Sequence, residues 1–162
     1  MKEKESIILS YLNQMASMKW EPKQAAWFKK KAKDAHLIEM SSMFDKFSKE
    51  EISQMKKSIR FKRNECYRNV SLFAQNLMAR KEKVEYVEGL VSVCGCPLEH
   101  AWVKIGNQYF DPTLELLLKD NVKEKEYVAL GSWEMSDVWE VQLKTGYYGE
   151  IYREKYIETL QH

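Results

Sequence analysis

The chain has 162 residues, of which 44% are hydrophobic and 31% charged, and its 26 Lys and Arg against 24 Asp and Glu leave a formal charge of +2. That length suits one domain with one sizeable core, and the composition excludes a disordered chain. A charge so nearly balanced gives no reason to expect nucleic acid or an acidic membrane as partner.

No apolar run approaches the roughly 20 residues needed to cross a bilayer. The start, Met1-Lys2-Glu3-Lys4-Glu5 and then only Ile7-Ile8-Leu9, lacks the apolar core of a secretory signal, so the expectation is a cytoplasmic protein. Cys66, Cys94 and Cys96 make an odd set that suggests reduced thiols rather than a disulfide framework.

In chain order, Ile7, Ile8, Tyr11, Leu12, Met15 and Met18 recur at three- and four-residue steps and predict an amphipathic helix over 3–19. Trp20-Glu21-Pro22 breaks it, and Pro22 suits the first turn of a second helix reaching Ala35. That helix has Ala25, Ala26, Phe28 and Ala32 as its inner face and Lys29-Lys30-Lys31 as a solvated one. Ser48 followed by Glu51 is a capping-box pattern opening a helix that runs to Ile59. Asn64 is a suitable N-cap for the next helix, along which Cys66, Val70, Phe73, Ala74 and Leu77 fall at helical spacing. Near residue 83 the periodicity changes. Val84 to Val93 reads as a strand and Cys94 to Pro97 as a connection. His100 to Ile105 and Gln108 to Asp111 are two strands about a Gly106-Asn107 turn. Tyr127 to Leu130 suits another strand, Ser136 to Thr145 a helix or strand, and Ile151 to Leu160 a closing helix. The result is an α+β domain, 1–162, with a helical extension over 1–60 and a core over 61–162.

The Gly106-Asn107 turn fixes a register. Ile105 falls opposite Gln108, Val103 opposite Phe110, Trp102 opposite Asp111 and His100 opposite Thr113. Side chains alternate between faces, so His100, Trp102, Asp111 and Thr113 share one face and Ala101, Val103, Ile105 and Phe110 the other. His100 and Asp111 become diagonal neighbours. An imidazole beside a carboxylate is what a cysteine nucleophile requires: the base takes the thiol proton and the carboxylate holds the other ring nitrogen. Cys66 in the first turn of a helix also sits where backbone N–H groups favour negative charge and can bind an oxyanion. Asn64 and Trp102 are further candidates for the oxyanion site or the cleft lining. Trp102 is expected beside the histidine, shielding the His-Asp bond from water. Glu88 and Glu99 are expected at the surface, near the cleft. Cys94, Cys96 and His100, with Cys66, have an alternative as a zinc set, but Cys-x-Cys is tighter than structural zinc spacing, and no metal or cofactor is expected. In that reading Cys94 and Cys96 pack beside the site as thiols.

Glu65-Cys66-Tyr67-Arg68-Asn69, His100-Ala101-Trp102-Val103 and Tyr109-Phe110-Asp111-Pro112-Thr113 together resemble the core of the transglutaminase-like superfamily, over roughly residues 62–115. The segment departs from the family in having Glu65 and Tyr67 beside the cysteine. The resemblance implies a papain/transglutaminase-like fold, with Cys66, His100 and Asp111 as catalytic triad and a protein or peptide as substrate. It covers cross-linking enzymes, deamidases, peptidases and inactive relatives. Two functions are therefore expected: cysteine-dependent acyl transfer (hydrolase, peptidase or transglutaminase type) through a Cys66 thioester, or a non-catalytic interaction module on the same fold.

Overall fold

The computed structural model describes residues 5–161. Among these are six α-helices and one five-stranded antiparallel sheet. In chain order they are α1 (Ile7–Ser17), α2 (Pro22–Asp34), β1 (His36–Ile38), α3 (Lys49–Ile59), α4 (Cys66–Ala79), β2 (Val84–Val93), β3 (Cys96–Ile105), β4 (Gln108–Phe110), β5 (Tyr127–Glu134), α5 (Met135–Thr145) and α6 (Ile151–Leu160). Strand order across the sheet is β1-β5-β2-β3-β4. The domain is mixed α and β, as the change of periodicity predicts. None of the described helices is long and apolar enough to cross a membrane.

The capping box of α3 forms: the Ser48 hydroxyl accepts the Glu51 N–H at 3.1 Å, and the Glu51 carboxylate accepts the Ser48 N–H at 3.1 Å. Such a cap is worth about 1 kcal/mol. Pro22 occupies the first turn of α2. The helix predicted over 3–19 is shorter, Ile7–Ser17, with residues 3 and 4 outside those described. Only Ile8 and Leu12 of its expected inner face are fully buried; Ile7, Tyr11 and Met18 are exposed.

The segment 1–60 is not a purely helical appendage. His36–Ile38 pairs with Tyr127–Ala129 of β5 and completes the sheet edge. Three residues are too few for a period-two pattern to register in the sequence. Ile8 and Leu12 pack with Leu90, Val128, Leu130 and Tyr152 in a shared apolar cluster. Lys31, expected on a solvated face, is 7% exposed; its ammonium lies over the Trp27 ring at 5.2 Å and pairs with Glu99 at 3.5 Å. The long stem covers apolar surface while the head keeps an anionic partner.

The sheet carries a core on each face. Ala101, Val103, Ile105 and Phe110 pack with Val70, Phe73, Ala74 and Leu77 of α4. Trp102 packs on the other side with Val87, Val91, Leu114 and Tyr127. Gly89 allows this crowding: a Cβ there would lie 2.7 Å from the Trp102 ring, and the β2–β5 register shifts between Glu88 and Gly89. The β2–β3 connection is only Cys94-Gly95, both at positive φ (50° and 79°), so β3 begins at Cys96 rather than His100. β5 also extends past Leu130 to Glu134, and α5 is helical from Met135.

Candidate active site

Cys66 is the first residue of α4, half-buried. Asn64 is not its N-cap. That position belongs to Glu65, whose side chain makes no capping bond, while Asn64 adopts a left-handed φ of 60° in the preceding loop and lines the cleft. The first turn is therefore uncapped, which leaves its N–H groups available to an anion. The loop is held instead by Asn69, fully buried one turn into the helix. Its Oδ1 accepts the Lys62 N–H at 3.0 Å and its Nδ2 donates to the Lys62 carbonyl at 2.8 Å. Arg68 adds bonds to the carbonyls at the end of α3, Ile59 (3.2 Å) and Arg60 (3.1 Å). Neither role was read from the sequence. The signal was there in outline, since a buried-face Asn in a helix needs a partner.

The Gly106-Asn107 turn and its register appear as expected, with Ile105 opposite Gln108 and Val103 opposite Phe110. Pairing then stops, so the expected pairs Trp102 with Asp111 and His100 with Thr113 do not form. Pro112 has no N–H to continue the ladder. The chain instead enters a single π-helical turn, Thr113–Leu117. Asp111 thus lies just past the end of β4, yet its side chain still reaches the histidine.

His100 Nε2 bonds Asp111 Oδ2 at 2.8 Å, with the histidine 6% and the aspartate 0% exposed. Two further donors fix the carboxylate: Tyr127 Oη donates to Oδ2 at 2.8 Å, and the Leu114 N–H to Oδ1 at 3.1 Å. Tyr127 was missed in the sequence, because nothing local ties a tyrosine of β5 to residues of β3 and β4. The indole of Trp102 stands edge-on to Tyr127 (centroids 5.2 Å apart) and 6.2 Å from the imidazole. It is fully buried behind the His-Asp pair and does not line the cleft, so it is a shield and not an oxyanion donor.

Burial by itself would lower the pKa of His100. The charge and hydrogen bond of Asp111 outweigh it, the Cys66 thiol adds to them, and the imidazole is pushed up from 6.5 to about 10. With Nε2 committed to Asp111, Nδ1 is the nitrogen left for Cys66. Asn69 Nδ2 lies 3.4 Å from Thr113 Oγ1, so the start of α4 abuts the π-helical turn that follows Asp111. Cys66 and His100 line one cleft of about 470 Å³.

Glu88 is not at the surface. It is 5% exposed and accepts the Ile151 N–H (2.8 Å), the Tyr152 N–H (2.9 Å) and the Tyr86 hydroxyl (2.6 Å). A β2 carboxylate thereby caps α6. Burial is the main reason its pKa rises to about 7. Glu99 is exposed at the cleft rim, as expected. Tyr67 packs against Gly149, where φ is 107° and a Cβ would collide with the phenol ring.

Cys94 and Cys96 are exposed at the tip of the β2–β3 hairpin and do not pack beside the site. Cys96 precedes His100 by four residue steps along β3, about 13 Å. No group of three or more His, Cys, Asp or Glu among the described residues is placed to hold a metal ion. Compared with known protein families, curated proteins and solved structures, the chain matches none.

Proposed function

We propose that the protein is a cysteine-dependent acyl-transfer enzyme of the transglutaminase-like and papain-like kind, acting on an amide or ester carbonyl through a Cys66 thioester. The observation that carries this reading is the His100–Asp111 bond of 2.8 Å, buried and backed by Tyr127, opening on the same cleft as a thiol at a helix start.

In this mechanism His100, raised to about 10, already holds the proton given up by the thiol at neutral pH, and Sγ attacks the carbonyl carbon. Asp111 stabilises the imidazolium so formed and keeps the ring aimed. The tetrahedral oxyanion is held by N–H groups of the uncapped first turn of α4, where the helix dipole also favours negative charge. His100 then protonates the leaving group, and water or an amine resolves the thioester with the proton returning by the same route. A protein or peptide is the substrate class that the resemblance to the superfamily suggests.

The test is trapping. Incubation with an activated ester, followed by intact-mass measurement, should show one acyl adduct on Cys66, absent from Cys66→Ala and slowed at least roughly a hundredfold in His100→Ala. Adducts on Cys94 or Cys96 at the same rate as on Cys66 would contradict the reading and favour an interaction module without turnover.

A further inference from the structure

The cleft has two unlike features besides its nucleophile. Its walls are aliphatic, and two of their residues face solvent. Leu98, on β3, is 49% exposed and Leu118, at the end of the π-helical turn, is 41% exposed. Val91, opposite Leu98 in the β2–β3 ladder, and Leu114 are buried aliphatic residues of the same lining. Apolar side chains left open to water in one cleft gain by being covered.

The second feature is the charge of the rim. Glu99, Asp120 and Glu150 line the cleft, and no Lys or Arg does. Each of these carboxylates already has a cation outside it: Lys31 at 3.5 Å, Lys125 at 3.7 Å and Arg153 at 3.1 Å respectively. The rim is therefore no trap for a cationic ligand. The cleft lining also offers an incoming carboxylate no Lys or Arg side chain. A volume of about 470 Å³ holds one or two side chains and not a folded surface.

Resting on the reading of Cys66 as an acyl-transfer nucleophile, we propose that the acyl group it accepts is neutral and apolar, a carbonyl whose neighbouring aliphatic side chain sits between Leu98 and Leu118. Acylation joins Sγ to the carbonyl carbon as the C–N or C–O bond breaks, and the leaving group departs with the proton His100 took from the thiol. Water then adds hydroxyl to the acyl carbon, the S–C bond breaks and the thiol is restored. Leu98 and Leu118 set which acyl group is taken and have no part in the bond-making.

The p-nitrophenyl esters of N-acetyl-leucine, N-acetylglycine and N-acetylglutamate test this, read by nitrophenolate release and by intact mass. The leucine ester should acylate Cys66 at least about tenfold faster than the glycine ester, with the glutamate ester slowest. In the double variant Leu98→Asn, Leu118→Asn the leucine-to-glycine ratio should fall towards one. Equal acylation of Cys66 by all three esters would overturn the apolar specificity and leave the nucleophile standing. Binding is read separately in Cys66→Ala, by NMR titration with N-acetyl-leucinamide against N-acetylglycinamide. Leucinamide shifts centred on the Leu98 and Leu118 methyls support the cleft assignment even if no ester reacts; shifts no larger than those with glycinamide overturn it.

Discussion

At the scale of single residues, Asp111 determines the state of the site. Three donors converge on its carboxylate, from His100, Tyr127 and the Leu114 backbone. It is the chief group raising the His100 pKa against the opposing effect of burial. Asp111→Asn should let burial prevail and bring the imidazole pKa down from about 10 to its ordinary 6.5 or below, followed as the His100 ring protons in an NMR titration. The sign for stability follows. A histidine raised above its unfolded value contributes fully below pH 6.5, and that contribution is lost as pH rises through about 10, so the variant should lose the pH dependence of unfolding in that window. Turnover should fall by roughly a hundredfold or more, since a misoriented imidazole is a poor base. His100 and Asp111 were legible because turn chemistry and strand parity act over a dozen residues. Tyr127 and Asn69 were not, because their partners are fixed by tertiary packing.

At the scale of elements, the capping box, the Pro22 helix start and the Gly106-Asn107 turn could be read from patterns within four residues, and the Cys66 helix from the spacing of Val70, Phe73, Ala74 and Leu77, although its expected Asn64 cap does not form. What escaped was decided by neighbours: the three-residue strand β1, the stop that Pro112 imposes on β4, and the burial of Glu88. The link from β2 to α6 through Glu88 makes a specific prediction. Its carboxyl is protonated up to about pH 7 in the folded protein but only up to about 4.5 in the unfolded chain. Between those values the native state binds the extra proton, so stability falls as pH rises from 4.5 to 7, by about 3 kcal/mol in total. Tyr86 donates to this carboxyl and Glu150 opposes its ionisation. Glu88→Gln should flatten that slope in urea unfolding measured across the same range. An unchanged slope would place its origin in another group.

At the scale of the whole molecule, residues 5–35 and the sheet share one apolar cluster, with Ile8 and Leu12 fully buried against Leu90, Val128 and Leu130. Burying each such side chain is worth about 1.5–3 kcal/mol, comparable in sum with the net stability of a domain. Deletion of residues 1–35 should therefore abolish cooperative thermal unfolding rather than yield a trimmed core. A sharp transition within a few degrees of the full chain would show the segment to be detachable after all.

The central claim is that His100 acts as the base for Cys66, and it is tested most directly by the rate of iodoacetamide alkylation of Cys66 across pH 5–9, in wild type and His100→Ala, with each cysteine followed by peptide mass. The account predicts that near pH 7 Cys66 reacts well ahead of Cys94 and Cys96 despite their greater exposure, and that His100→Ala slows it at least about tenfold there while the two hairpin thiols are unaffected. Equal Cys66 rates in the two proteins at every pH would make it an ordinary half-buried thiol and contradict the account.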